Sequence, residues 1–172
     1  MVKPFAWDKN LDYEKTYKQI LNHYRQATRD TTRAYDIILL TQLRNGSRLT
    51  EAIRFLNKII ETKPFKRQAY IKVEKRKDGH ERLMVLPEEI DKKELLRVSY
   101  VIREANKWKV STYCRRTYGF NTHALRYALI SYLSQKGVAP QLIAKITGHK
   151  TLDYILYYTQ QQKAEEILKD LR

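Results

Sequence analysis

Tyr158 lies nine residues after His149, and His149 lies 23 residues after Arg126, which closes a His123-Ala-Leu-Arg126 cluster. A phenol, two imidazoles and a guanidinium in this company can cleave a phosphodiester by nucleophilic attack. A free tyrosine has a pKa of about 10, so at neutral pH its phenol is a poor nucleophile unless neighbours help to remove the proton. Arginine suits the phosphate because its planar fork gives two parallel hydrogen bonds to the non-bridging oxygens and stays protonated. Histidine can donate to those oxygens or move protons. The tyrosine carries little weight alone, because the chain has 13 of them and most must pack with a hydroxyl at the rim of the core.

Three further segments extend the pattern. Gly46-Ser47-Arg48-Leu49-Thr50-Glu51 precedes the cluster, and Gly148-His149 and Tyr158-Thr159 follow it. In order and spacing these segments resemble the tyrosine recombinase (integrase) family, with its Gly-x-Arg-x-x-Glu, His-x-x-Arg, Gly-His and Tyr-Thr motifs, over roughly residues 30 to 160. The resemblance implies that Tyr158 attacks a DNA phosphate and forms a 3′-phosphotyrosyl bond, which conserves the energy for religation to another strand. Arg48 and Arg126 would clamp the non-bridging oxygens, and His123 and His149 would add hydrogen bonds. Glu51 would support the arginines. A lysine of the family's β-hairpin protonates the leaving 5′-oxygen. Aligning Glu81-Arg82-Leu83 with the usual hairpin ending selects Lys77, and Lys75 is the alternative because hairpin lengths vary. The implied chemistry needs neither metal nor nucleotide, and no carboxylate cluster with metal-ligand spacing accompanies the motifs.

The resemblance also implies a fold: mainly α with a small antiparallel hairpin, the catalytic-domain fold of the family. We expect one catalytic domain over residues 1–172, with a helical lead-in at 1–30, an amphipathic tail at 160–172 and no separate N-terminal DNA-clamping domain. In the family the tail docks on a neighbouring protomer, so the expected assembly is a tetramer on synapsed sites; packing on its own domain is the alternative. Thr147 stands where the family has leucine before Gly-His, and Tyr127 replaces a frequent histidine or arginine. Neither change removes a reactive group. A type IB topoisomerase shares the chemistry and would relax DNA instead. A DNA-binding module without catalysis, or a helical RNA-binding protein, would share only the charge.

Charge supports a polyanionic partner independently. Lysine and arginine total 34 against 19 acids, a formal net charge of +15, which favours double-stranded DNA and salt-sensitive binding. Basic residues cluster at Lys72-Val-Glu-Lys75-Arg76-Lys77, at Lys107-Trp-Lys109 and at Arg115-Arg116. The expected phosphate contacts are Lys75, Arg76, Arg82, Arg115 and Arg116. Cys114 is the only cysteine, so no intrachain disulfide can form. No run approaches the roughly 18 apolar residues of a membrane span, and no signal-peptide stretch opens the chain. The reading is of a soluble, intracellular protein with no membrane partner.

Helical periodicity must position these groups. Leu11, Tyr17, Ile20, Leu21 and Tyr24 recur at helix spacing, and Asp30-Thr31-Thr32 offers a cap for a second helix that runs past Leu43 to Asn45-Gly46. Arg48 then opens a helix that buries Ile53, Leu56, Ile59 and Ile60, where it can equally form a salt bridge to Glu51 three residues on. Asp78-Gly79 predicts a two-residue hairpin turn with Lys77 opposite His80, Arg76 opposite Glu81, and Ile71 and Val73 opposite Leu86 and Met84 on one apolar face. Asp91 caps a helix carrying Leu95 to Ile102, and the Trp108–Phe120 stretch suits a loop lying on DNA. Asn121 or Thr122 caps a helix from His123 that ends at Gly137. Pro140 opens and Gly148 closes the next, and Thr151 caps a last helix on which Tyr154, Tyr157 and Tyr158 compete. Family spacing from His149 selects Tyr158. An apolar stripe of Ala164, Ile167, Leu168 and Leu171 follows.

Overall fold

The computed structural model describes residues 11–171, apart from the side chains of Tyr154 and residues 157–163. Nine helices and one hairpin follow in the described residues: α1 (Tyr13–Gln26), α2 (Asp30–Asn45), α3 (Leu49–Glu61), β1 (Gln68–Lys72), β2 (Glu81–Val85), α4 (Lys92–Arg97), α5 (Ser99–Glu104), α6 (Lys107–Tyr118), α7 (His123–Gln135), α8 (Pro140–Thr147) and α9 (Asp153–Asp170). This is the mainly α fold with a small antiparallel sheet expected from the sequence.

The centre is α2. Ile37, Ile38, Leu39, Leu40 and Leu43 are fully buried, and Asp36, Thr41, Gln42 and Asn45 are buried with them. A helix covered on every side must be surrounded, and α1, α3, α5, α6, α7 and β2 all pack on it. A smaller cluster of Tyr127, Ile130, Ile143, Ala144 and Ile155 joins α7, α8 and α9. Burying a side chain such as Ile155 contributes about 1.5–3 kcal/mol, and this one seats the start of α9 against the helices that carry Arg126 and Thr147.

Several local expectations need correction. The hairpin pairs Lys72 with Glu81, Ile71 with Arg82 and Ala69 with Met84, and Val73 N–H donates to His80 O at 2.8 Å. The pairing is therefore offset from the one that a tight Asp78-Gly79 turn dictates. The offset is an even number of residues, so Ile71, Val73, Met84 and Leu86 still face the core. Tertiary contacts override the turn preference: the buried Glu51 carboxylate accepts from Glu74 N–H, and Arg48 donates to Glu74 O. Held there, the chain leaves the ladder through Lys75 at φ +64. Arg76 consequently pairs with Asp78 at 2.6 Å, not with Glu81 across the strands.

The Trp108–Phe120 stretch is helical through most of its length. Asn106 caps α6 by accepting from Lys109 N–H, Gly119 ends it in the left-handed region, and Val110 and Cys114 bury its inner side. The segment expected to run as one helix through Ile102 breaks at Val98 into α4 and α5, with Asp91 capping the first as expected. Neither Asp30-Thr31-Thr32 nor Thr151 caps by its side chain; Arg29 and Leu152 occupy those cap positions. The tail continues α9 without interruption to Asp170, with Ile167, Leu168 and Leu171 each more than half exposed. No helix among the described residues is long and apolar enough to cross a membrane.

Candidate active site

Two helix-ending glycines bring the distant motifs together. Gly46 leaves α2 at φ +57, and a Cβ there would sit 2.8 Å from Leu129 of α7 and 3.0 Å from Thr147 of α8. Gly148 leaves α8 at φ +78, where a Cβ would lie 2.9 Å from Val73. Only glycine combines the left-handed conformation with such close approach. The first turn delivers Arg48 to the start of α3, and the second delivers His149.

Between them lies a buried electrostatic knot. Glu51 is fully buried. Its Oε1 accepts from Arg48 N–H at 3.0 Å, and its Oε2 accepts from Glu74 N–H at 2.9 Å. The guanidinium groups of Arg48, Arg82 and Arg126 lie 3.6, 3.9 and 4.0 Å from its carboxylate. The Arg48–Glu51 pair anticipated from their spacing is thus one spoke of a hub. Arg126, 2% exposed, donates from Nη1 to Gly46 O at 2.9 Å and to Thr147 O at 3.0 Å. Its Nη2 lies 3.3 Å from both ring nitrogens of His149, and Thr147 Oγ1 lies 2.6 Å from His149 Nδ1.

This crowding tunes the site. Burial and then Arg48 bring the Arg126 pKa down to about 9, which leaves the group charged at neutral pH. Burial and then Arg126, Arg48 and Arg82 hold His149 down to about 3, so its ring is neutral. His123 is also lowered, by desolvation and then by Arg126, Lys107, Arg48 and Lys75. It opens α7, where Asn121 Oδ1 caps Ala124 N–H. Beside it a narrow cleft is lined by Gln42, Arg48, Leu49, Thr50, Glu74, Lys75, Lys107, Thr122 and His123. Cations concentrated at such a cleft suit a phosphate.

No family model matches the chain. Uncharacterized protein MJ0770 of Methanocaldococcus jannaschii is 34% identical over 198 residues, covering 96% of this chain and 89% of that protein. The solved pre-cleavage complex of the XerH site-specific recombinase bound to difH substrate is similar in fold, with a TM-score of 0.61 at 17% identity, over 99% of this chain and 55% of that one. The chain therefore spans about half the length of that structure. "Putative integrase ORF241" of Acidianus two-tailed virus is 39% identical over 173 residues, covering 96% of this chain and 69% of that protein. The chain belongs to the tyrosine recombinase (integrase) family.

Within this recombinase fold the residues singled out by sequence are distributed unevenly. Arg48, Arg126 and His149 meet around Glu51 and Thr147, and His123 joins Arg48 at the cleft. Lys75, not Lys77, lines that cleft; Lys77 lies exposed in the hairpin loop. Arg82, expected at a DNA phosphate, is instead committed to the backbone: its Nη1 donates to Thr147 O and its Nη2 to Asn45 O, bracing the two glycine turns. Burial lowers its pKa to about 10, against the opposing pull of Glu51. Arg76 is tied to Asp78, and Arg115 and Arg116 are exposed on α6. The backbones of Tyr154, Tyr157 and Tyr158 belong to α9; their side chains lie outside the described residues. Lys107, first residue of α6, also lines the cleft, which its place in a basic cluster of the sequence does not signal. Asn45, in sequence only a helix end, exchanges two side-chain hydrogen bonds with Val85 and fastens β2 to α2.

Proposed function

We propose that this domain is a site-specific DNA recombinase that breaks and rejoins strands through a 3′-phosphotyrosyl intermediate on Tyr158. The observation that carries the reading is the convergence of Arg48 and Arg126 on one buried carboxylate, with His149 set against Arg126, beside a cleft shared by Arg48, Lys75 and His123. Glu51 sets the two arginines before substrate arrives, so their charge is preorganised for a phosphorane-like transition state and needs little rearrangement. Arg48 and Arg126 bind the non-bridging oxygens. The phenol of Tyr158 passes its proton to a neutral imidazole of the site as its oxygen attacks phosphorus, the P–O5′ bond breaks, and a lysine supplies the proton taken by the leaving oxygen. Lys75 is favoured for that role because it lines the cleft. Lys77 remains the second reading on the strength of its alignment before Glu81-Arg82-Leu83.

Arg76, Arg115 and Arg116 are proposed to contact the DNA backbone outside the cleft. The exposed stripe of Ile167, Leu168 and Leu171 supports docking of the tail on a neighbouring protomer, and thereby a tetramer on two synapsed duplexes. The relatives' names support integration as the biological use. The test is incubation with two differently labelled duplexes that share a candidate site. Recombinant joints are expected; relaxation of supercoiled DNA without joints would replace the recombinase with a type IB topoisomerase.

A further inference from the structure

Two lysines line the cleft, Lys75 from the hairpin loop and Lys107 from the start of α6, and the proposed reaction employs only the first. α6 is anchored firmly enough to aim a side chain. Asn106 caps it by accepting from Lys109 N–H at 3.0 Å. Further along, the Tyr113 and Tyr118 hydroxyls donate to Oδ1 of the fully buried Asp36 of α2 at 2.8 and 2.7 Å. The same central helix holds the adjoining wall, because Gln42 Nε2 donates to Thr122 O at 3.0 Å, one residue before His123. The starts of α3, α6 and α7 and the hairpin loop therefore meet at one cleft.

Its charges are not equally available. Arg48 donates to Glu74 O and pairs with Glu51. Glu74, the one carboxylate among the described lining residues, accepts from Thr50 Oγ1. Lys107 is exposed, and among the described residues it is held in no ion pair. Its charge nonetheless reaches the reacting groups: after burial and Arg126, Lys107 is the next cause of the lowered His123 pKa, ahead of Arg48 and Lys75. Lysine meets phosphate as a compact charge on a flexible stem, without the fork that Arg48 and Arg126 offer to the scissile group. An uncommitted ammonium at the rim of the cleft suits a neighbouring phosphate of the same strand, a contact that fixes register without reading bases.

We propose that Lys107 binds a DNA phosphate flanking the scissile one and so positions the strand in the cleft. The assignment of a scissile group rests on the recombinase reading; a phosphate contact by Lys107 does not. The test compares Lys107→Gln with wild type in single-turnover cleavage of nicked duplexes carrying a neutral methylphosphonate on either side of the scissile phosphate. On unmodified DNA the variant should form adduct about 10-fold more slowly at sub-saturating protein. The salt dependence of its equilibrium binding should lose about 0.9 from the logarithmic slope. On DNA neutralised at the flanking phosphate that Lys107 holds, the two proteins should cleave alike. Lys109→Gln removes the same charge from a residue that does not line the cleft and should cleave at the wild-type rate. A deficit of Lys107→Gln that persists undiminished at both methylphosphonate positions overturns the proposal, as does an unchanged salt slope. Rescue of Lys107→Gln by sulfur in place of the scissile 5′-oxygen would make Lys107 the proton donor and overturns it too. If wild type forms no adduct on any DNA, the recombinase reading fails, while the salt slope of Lys107→Gln still judges the phosphate contact.

Discussion

Replacing Glu51 by glutamine tests the knot that preorganises the site. The substitution keeps shape and removes one negative charge from a fully buried position. Three guanidinium groups lie 3.6 to 4.0 Å from that charge, and at an effective dielectric constant near 20 each attraction is worth about 4 kcal/mol gross. Mutual repulsion of the arginines and the desolvation of all four groups cancel much of this sum, and breaking a buried pair typically costs about 3–5 kcal/mol. The amide also turns an N–H donor toward either Arg48 N–H or Glu74 N–H, which adds about 1 kcal/mol for an unsatisfied group. We therefore expect Glu51→Gln to destabilise the fold by about 4–6 kcal/mol, a large part of the 5–15 kcal/mol usual for a domain. Urea denaturation measures this as a lower midpoint at unchanged slope. A second arm replaces Arg82 by methionine in the same background. If uncompensated charge is the cause, the double variant is more stable than additivity predicts, by about 1–3 kcal/mol. A loss below about 1 kcal/mol in the single variant, or strict additivity in the double, would refute the reasoning.

Two further predictions concern protons. His149 has a folded pKa near 3 against an unfolded value near 6.5; the unfolded chain therefore binds the proton first, and stability falls as pH drops below 6.5. Between pH 6.5 and 5 this group alone should remove about 1.6 kcal/mol, and His149→Gln should flatten that part of the stability profile; equal slopes in the two proteins would contradict it. For the leaving group, Lys75→Ala should slow cleavage by about 10²–10⁴-fold and be rescued by a DNA whose scissile 5′-oxygen is replaced by sulfur, which departs without a proton. Rescue in Lys77→Ala instead would return the role to Lys77.

The residues that gather around Glu51 and the cleft were legible as candidates because their spacing is local and their types are chemically restricted: Gly46 to Glu51, His123 to Arg126 and Gly148-His149 each sit at a helix end whose glycine or cap is visible in the sequence. The apolar stripes of α1 and α3 were legible for the same reason. What escaped depended on tertiary contacts. The Asp78-Gly79 turn preference yields to Glu51 reaching across 23 positions to hold Glu74, and that shift decides which lysine meets the cleft. Arg82 reads as a surface cation because nothing in its neighbours signals the two backbone carbonyls it serves. α6 was hidden because its buried face is narrow, consisting of Val110 and Cys114 amid polar and aromatic residues, although Asn106 and Gly119 marked its ends. Thr147 was visible as a departure from the family pattern, but its partner at His149 Nδ1 required the turn at Gly148 to be seen.

The most direct measurement is the covalent adduct itself. Wild-type protein trapped on a nicked duplex, digested and mapped by mass spectrometry, should carry the DNA 3′-phosphate on Tyr158, and Tyr158→Phe should form no adduct while still binding DNA. An adduct on Tyr154 or Tyr157, or undiminished trapping by Tyr158→Phe, would contradict the account.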